Sequence, residues 1–182
     1  MEIFQIIKRN DVKSGKNEKI TILGGGLSGP VMAMYLSEKG YRVDIYERRP
    51  DMRKTNISAG RSINLAVSKR GITALEEIGV FHKISSKLIP MYGRIIHDID
   101  GSTRFMPYGR PDQYINSVSR SELNILLMTE AEKTDRIRIL FQHSCSGMDL
   151  ESGTVFITNE VNGDQVTLQG TPVIAADGSG SA

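Results

Sequence analysis

The sequence predicts an α/β fold in which a parallel, Rossmann-like sheet is joined by a layer of antiparallel strands. Residues 19–47 read as strand, glycine-rich turn, helix and strand, which is the order of a βαβ unit. Strand and helix patterns alternate in the first part of the chain, whereas hairpin patterns dominate the later part. This mixture argues against a plain NAD dehydrogenase domain, which would keep alternating βα units.

The first element is an apolar strand, Ile20–Leu23, followed by three glycines with G-x-G-x-x-G spacing. Gly24 allows a tight turn out of the strand, and Gly26 lets the backbone approach a pyrophosphate. Gly29 allows the helix to pack closely on the sheet. The N-terminus of that helix offers N–H groups and a positive dipole end to phosphates. The turn therefore predicts a dinucleotide site.

The second strand, Tyr41–Tyr46, ends on Glu47, about twenty residues beyond the glycines. A carboxylate at this place accepts hydrogen bonds from a ribose hydroxyl, and its negative charge favours FAD or NAD over NADP as the tightly held ligand. The alternative is a glycine-rich turn of an unrelated α/β fold, with Glu47 as a solvated strand end.

The remaining pattern predicts a helix from Ser68 to Ile78 that ends at Gly79, and a helix from Ser119 to Lys133 with a Ser119–Glu122 capping box. The predicted strands are Ile63–Val67, Arg94–Ile99, Arg104–Met106, Ile115–Val118, Ile137–Phe141, Ser144–Leu150, Thr154–Thr158, Val166–Leu168 and Val173–Ala176. We expect Val173–Ala176 to join the parallel sheet and the chain after Ile89 to form the antiparallel layer.

The composition restricts the partners, the redox environment and the location that we expect for this protein. The chain has 182 residues and a formal net charge of +2, so neither a nucleic-acid partner nor membrane contact is indicated. Cys145 is the only cysteine, which excludes an internal disulfide, suits a reducing compartment and provides no metal-ligand spacing. No apolar run is long enough for a membrane span and no signal-peptide pattern is present, so we expect a cytoplasmic location.

Two regions are expected along the chain. Residues 1–18 read as a flexible N-terminal prefix, and residues 19–182 as the N-terminal part of one domain. The last ten residues, VIAADGSGSA, follow directly on a buried-looking strand. We therefore expect the domain to be incomplete at its C-terminus and the chain to be part of a longer protein.

Several longer motifs are more specific to one protein family than the glycine pattern is. They are SAGRSINLAVS (58–68), IPMYGRIIHDIDGSTRFMPY (89–108) and YINSVSRSEL (114–123), together with GGGLSG, YERRPDMR and the closing ADG. In this order they resemble the kynurenine 3-monooxygenase family of class A flavoprotein aromatic hydroxylases. The resemblance implies an FAD-binding domain of the glutathione reductase and p-hydroxybenzoate hydroxylase type. It also implies hydroxylation of L-kynurenine to 3-hydroxykynurenine, with FAD bound and with NADPH and O₂ as co-substrates.

By resemblance, Leu27 and Ser28 approach the pyrophosphate together with the three glycines. The same resemblance places Glu47 on the adenosine ribose, with Arg48 and Arg49 flanking it. Both arginines could instead be solvated.

Four further cofactor residues are implied by the family motifs. Ala66 lies against the flavin, Arg120 reaches the phosphate or ribitol region, and Asp177 belongs to a second fingerprint that holds FAD. Cys145 occupies a place where the family packs an apolar residue near the adenine. Arg120 could also be a surface residue, and Cys145 a small buried hydrophobe.

Arg94 and Tyr108 match the pair that holds the amino-acid carboxylate of the substrate in this family. A guanidinium can grip a carboxylate with two parallel bonds, and a phenol can donate a third. Arg94 could instead pair with Asp98 or Asp100. We expect no catalytic side chain in this segment, because the flavin carries the redox chemistry.

Two other functions stay open. One is a different FAD enzyme on the same scaffold, such as another aromatic monooxygenase or a halogenase-like or reductase relative. The other is a non-catalytic dinucleotide-binding unit.

Overall fold

A computed structural model describes residues 18–54, 64–178 and 181. The helices are α1 (Ser28–Glu38), α2 (Lys69–Glu77), α3 (Phe81–Ile84) and α4 (Arg120–Ala131), with a 3₁₀ turn at Ser85–Lys87. The strands are β1 (Lys19–Leu23), β2 (Arg42–Glu47), β3 (Asn64–Val67), β4 (Ile89–Met91), β5 (Gly93–His97), β6 (Thr103–Pro107), β7 (Ile115–Ser119), β8 (Ile137–Phe141), β9 (His143–Asp149), β10 (Thr154–Asn159), β11 (Gln165–Leu168) and β12 (Val173–Ala175).

The central element is a four-stranded sheet with the order β12-β1-β2-β8, in which every neighbouring pair is parallel. The predicted βαβ unit is confirmed, and so is the place of the strand that begins at Val173 beside β1. Because all four strands are parallel, their carboxyl ends lie at one edge, where ligands of such sheets bind.

The two faces of this sheet are covered differently. Alternate residues of β1 and β2 point to opposite sides, as the pleat requires. Ile22 and Ile45 are fully buried in a core shared with helices α1, α2 and α4. Leu23 and Tyr46 are buried on the other side, against strands of the three-stranded sheet β11-β10-β9.

The single antiparallel layer expected after Ile89 is wrong in two respects. The antiparallel strands form three separate sheets, β11-β10-β9, β3-β7-β4 and β5-β6, rather than one layer. Moreover, β8 belongs to the parallel sheet although it follows Ile89 and was not expected there. An apolar strand pattern reports which faces are buried and not which strand is the neighbour, so the sequence could not separate these cases.

The helix termini differ in detail from the capping pattern. The Ser68 side chain makes no capping hydrogen bond to α2. The Ser119 hydroxyl accepts the Glu122 N–H at 3.4 Å, but the Glu122 carboxylate accepts a bond from Lys87 at 3.0 Å, so only half of the capping box forms. Helix α4 ends two residues before the predicted Lys133, and α3 and β4 were not predicted.

Most other predicted strands are present within one or two residues of their expected bounds. The Asn162-Gly163 hairpin is confirmed between β10 and β11, with Gly163 at a φ of +78°. Residues 1–17 and Ile63 lie outside the described part of the chain. Among the described residues, no helix is both long and apolar enough to cross a membrane.

Candidate cofactor site

A cleft of about 430 Å³ opens at the carboxyl edge of the parallel sheet. Strands β1, β2 and β12 end there, and the N-terminus of α1 faces it. Ten of the cofactor residues predicted from the sequence line it: Gly24, Gly26, Leu27, Ser28, Glu47, Arg48, Arg49, Arg120, Cys145 and Asp177. The fold therefore brings together residues that lie up to 153 positions apart, from Gly24 to Asp177.

The three glycines of the turn have three distinct environments. Gly24 has a φ of +102°, and a Cβ there would lie 2.6 Å from the Ala176 carbonyl oxygen. At Gly29 a Cβ would lie 2.0 Å from the Gly24 carbonyl oxygen, so α1 packs on the turn at a distance that only glycine allows. A Cβ on Gly26 would meet nothing within 4 Å, because this residue borders the open cleft.

Glu47 is 4 % exposed, and its carboxylate is held by the chain itself. Its Oε2 atom accepts the Gly25 N–H at 2.7 Å, which ties the end of β2 to the glycine turn. The Arg49 backbone N–H and Nε both donate to Oε1, at 2.9 and 2.8 Å, and Arg49 Nη2 donates to Oε2 at 3.3 Å.

These contacts fix the charge state of the pair. Burial pushes the pKa of Glu47 upward, but the hydrogen bonds and charge of Arg49 and the Gly25 N–H outweigh it and hold that pKa below its usual value. The Glu47 hydrogen bond raises the pKa of Arg49 in turn. Both side chains are therefore ionised at neutral pH.

Two positively charged side chains that line the cleft have no partner among the residues that the structure describes. Arg48 and Arg120 are exposed, and neither makes a hydrogen bond or ion pair within the described ranges 18–54 and 64–178. Leu27 is the N-cap of α1, with no side-chain capping bond and no acidic residue in the first turn. These features suit a pyrophosphate, because helix N–H groups and guanidinium groups bind phosphate oxygens.

The cleft is also lined by residues that the sequence analysis did not assign to the site. Tyr46 and His143 line the cleft with their rings 6.1 Å apart in an edge arrangement. His143 Nδ1 lies 2.7 Å from the Phe141 carbonyl oxygen, and Ser144 is hydrogen-bonded to Glu160. These lining residues lie within two positions of Glu47 or Cys145 in the sequence, and that proximity was the signal that could have identified them.

Two predicted cofactor residues do not line this cleft. Gly29 is buried beneath it. Ala66 is exposed on β3, where it lines a separate apolar groove of about 450 Å³ beside α1 and α2. Leu27 and Ser28 line both spaces, so the groove adjoins the cleft.

The predicted substrate residues lie elsewhere, on the β5-β6 ribbon. Arg94 pairs with Met106 in the strand register, and its Nη2 atom lies 3.2 Å from the Met106 sulfur. The Tyr108 N–H donates to the Tyr92 carbonyl at 2.9 Å, which continues the same ladder. Arg94 and Tyr108 are therefore diagonal neighbours on one face of the ribbon. Both are exposed, and neither lines the cleft or the apolar groove.

The alternative partners of Arg94 are engaged differently. Asp98 forms a long ion pair with Arg104, at 3.8 Å, and Asp100 accepts the Ser102 N–H at 2.9 Å. Within residues 18–54 and 64–178, no group of three or more His, Cys, Asp and Glu side chains could hold a metal ion.

Comparison with known protein families gives a match over nearly the whole chain. The model of the family described as the FAD binding domain matches residues 17–182. The chain belongs to the FAD-binding domain family. Its dinucleotide is therefore FAD, and the cleft at the carboxyl edge of the sheet is the candidate site for it.

Among curated proteins, this FAD-binding domain is similar to kynurenine 3-monooxygenases. It is 40 % identical to that of Myxococcus xanthus over 172 residues, which are 94 % of this chain and 37 % of the relative. It is 43 % identical to that of Cytophaga hutchinsonii over 165 residues, which are 89 % of this chain and 36 % of the relative. The chain thus spans somewhat more than a third of the length of these relatives.

Among solved structures, the flavin-dependent monooxygenase PieE, determined with FAD and substrate, superposes with a TM-score of 0.73 at 20 % identity. The match covers 91 % of this chain and 31 % of that one. It confirms the fold predicted from the sequence.

Proposed function

We propose that this chain is the FAD-binding part of an aromatic hydroxylase that converts L-kynurenine to 3-hydroxykynurenine, with NADPH and O₂ as co-substrates. The observation that carries the proposal is the cleft itself. The glycine turn, Glu47 and Asp177 meet at one edge of the sheet, in a chain about 40 % identical to kynurenine 3-monooxygenases.

The residues present fit FAD. Gly26 leaves an open approach to the backbone, and the uncapped N-terminus of α1 faces the cleft. Arg48 and Arg120 offer positive charge to the two phosphates, and Glu47 lies where the adenosine ribose is expected. Tyr46 and Cys145 supply an apolar wall for the adenine.

When bound, FAD supplies the oxidation–reduction chemistry, so the side chains of this segment are left with binding and orientation. The proposed task of Arg94 and Tyr108 is to hold the substrate carboxylate, which fixes the position of the aromatic ring relative to the flavin. Such positioning increases the reaction rate, because the reacting groups are already held in the right geometry and do not have to meet by diffusion. No side chain is required as a nucleophile.

The kynurenine specificity is supported by the names of the relatives and by the shared face of Arg94 and Tyr108. We place NADPH as the reductant and the cytoplasm as the location, both as parts of the same proposal. The reductant is drawn from the family resemblance, and the location from the composition.

The cofactor assignment is tested by titrating FAD into the chain and into Glu47→Ala, with flavin fluorescence as the readout. The variant loses a hydrogen-bonded carboxylate worth about 1.5–3 kcal/mol, so the dissociation constant should rise roughly tenfold or more. Glu151→Ala is the control, because Glu151 is exposed in the turn between β9 and β10. Equal affinities for the chain and both variants would contradict the ribose role.

The reaction is tested in a chimera that carries this chain in place of the aligned segment of the Myxococcus xanthus relative. We expect NADPH- and O₂-dependent conversion of L-kynurenine to a product one oxygen atom heavier. A chimera that binds FAD and oxidises NADPH without forming this product would contradict the substrate assignment.

A further inference from the structure

The Glu47 carboxylate, which should receive the adenosine ribose, already accepts hydrogen bonds at all of its acceptor positions from donors of this chain. A carboxylate offers about four acceptor positions. On Glu47 these are taken by Gly25, through its N–H, and by Arg49, through its N–H, Nε and Nη2. A ribose hydroxyl therefore cannot donate to Glu47 unless one of these donors leaves.

The donors differ in how easily they can leave. The Gly25 N–H belongs to the backbone of the glycine turn, and a Cβ on Gly25 would lie 3.1 Å from Glu47 side-chain atoms, so the two residues are closely packed. The Arg49 backbone N–H is likewise fixed by the chain. The Arg49 side chain, in contrast, is 56 % exposed and lines the cleft, so its guanidinium can turn away without opening the core.

We propose that Arg49 is an internal competitor for the ribose: its guanidinium, which is bonded to Glu47 in the structure, is displaced by the ribose diol on nucleotide binding. This inference rests on the proposed FAD site. The exchange keeps Glu47 hydrogen-bonded in both states, since hydroxyl donors replace the Nε and Nη2 donors. The displaced guanidinium then adds to the positive charge of Arg48 and Arg120 in the same cleft.

The exchange also determines how strongly the site distinguishes ligands with and without ribose hydroxyls. A ligand without ribose hydroxyls has no donor to offer Glu47 and leaves Arg49 in place. A ligand with a complete diol replaces both side-chain donors. Selectivity for the diol is thus reduced by the cost of removing Arg49, and it should increase when the guanidinium is absent.

The first test observes the displacement directly. In the chain with ¹⁵N-labelled arginine and glycine, the Arg49 Nε–H and Gly25 amide signals are followed by NMR during addition of ADP or 2′,3′-dideoxy-ADP. We expect ADP to shift the Arg49 Nε–H signal strongly, because its carboxylate partner is lost. Dideoxy-ADP should leave that signal in place, and the Gly25 amide should keep its bond to Glu47 in both titrations.

The second test compares affinities. Arg49→Met removes the guanidinium and retains an unbranched side chain, and Arg48→Met is the control in the same cleft. The measured quantity is the ratio of the ADP and dideoxy-ADP affinities, in which phosphate contacts common to both ligands cancel. The ratio should rise about tenfold in Arg49→Met, the equivalent of one hydrogen bond to a charged group, and stay unchanged in Arg48→Met.

The outcomes separate this inference from the proposed function. Binding of ADP with an unmoved Arg49 signal, or with equal ratios in the chain and Arg49→Met, overturns the displacement and leaves the FAD site standing. Failure of the chain to bind either ADP or FAD overturns both. The NMR arm uses the unaltered chain, so a folding defect of Arg49→Met cannot obscure the result.

Discussion

At the scale of the residue, the glycine turn separates the requirements of folding from those of binding. Gly29 is packed against the Gly24 carbonyl, whereas Gly26 has open space where a side chain would be. A methyl group added at Gly29 should therefore lower stability, whereas one added at Gly26 should lower flavin affinity.

We expect Gly29→Ala to destabilise the fold by about 1–3 kcal/mol or more, because its Cβ would overlap backbone that cannot move freely. Gly26→Ala should change stability little, since no atom lies within 4 Å of the added Cβ. It should nevertheless weaken FAD binding, because the methyl occupies the approach to the backbone. Thermal unfolding and FAD titration of both variants check this, and a stable Gly29→Ala protein would contradict the packing argument.

The close packing at Gly24 and Gly29 could be predicted because it depends on spacing within a few residues. The saturation of Glu47 could not, because it depends on the geometry of the Arg49 side chain and on how closely the turn approaches the end of β2. Tyr46 and His143 escaped prediction for a related reason: an apolar or aromatic residue beside a strand end has the same pattern whether it lines a core or a cleft.

At the scale of the element, strand β2 is held by a buried charge as well as by its backbone ladder. Asp44 is 3 % exposed, and its carboxylate accepts bonds from Arg138 Nε and Nη2 at 2.8 and 2.7 Å and pairs with Lys19 at 2.5 Å. Arg138 lies on β8 and Lys19 on β1, so one carboxylate links three parallel strands.

This link should make stability depend on pH. Burial pushes the pKa of Asp44 upward, but Arg138 and Lys19 outweigh it and hold the pKa below the ordinary 3.8. A lowered folded-state pKa means that the contribution is fully present above about pH 4 and is lost as pH falls through the folded-state value. Glu47, with a lowered pKa of the same origin, adds to this acid sensitivity.

We expect Asp44→Asn to lose about 1–3 kcal/mol of unfolding free energy at pH 7, the cost of a buried bond to charged groups. The difference from the unaltered chain should shrink at an acidic pH below the folded-state pKa, where Asp44 is itself protonated. Urea unfolding at both pH values measures it, with Asp135→Asn as the control because Asp135 is exposed ahead of β8. An equal loss at both pH values would show that shape, and not charge, is what Asp44 contributes.

The bounds of the strands were easier to predict than the order in which the strands lie in a sheet. The strand at Ile137–Phe141 was predicted with the observed bounds, yet its place beside β2 was not predicted. Local periodicity reports burial, whereas sheet order depends on contacts far apart in the sequence. The parallel position of β12 was predictable because its short, continuous apolar pattern is typical of a strand inside a parallel sheet.

At the scale of the whole molecule, the proposed substrate residues and the cofactor cleft lie on different parts of the fold. Arg94 and Tyr108 share one face of the β5-β6 ribbon, away from the walls of the candidate cofactor cleft. Substitutions there should therefore alter substrate affinity without altering flavin content.

In the chimera with the Myxococcus xanthus relative, Arg94→Ala should weaken L-kynurenine binding by roughly thirtyfold or more, because a desolvated carboxylate loses its charged partner at a cost of about 2–5 kcal/mol. Arg94→Lys should recover only part of this, since an ammonium cannot form the bidentate pair. Tyr108→Phe should cost less, about 1–3 kcal/mol, as the loss of one neutral donor.

Arg104→Ala is the matched control, because Arg104 lies on the same ribbon and forms an ion pair with Asp98. Titration with L-kynurenine and with its decarboxylated amine decides the role. If Arg94→Ala weakens both ligands equally, Arg94 does not recognise the carboxylate, and if it lowers the flavin content, Arg94 belongs to the cofactor site.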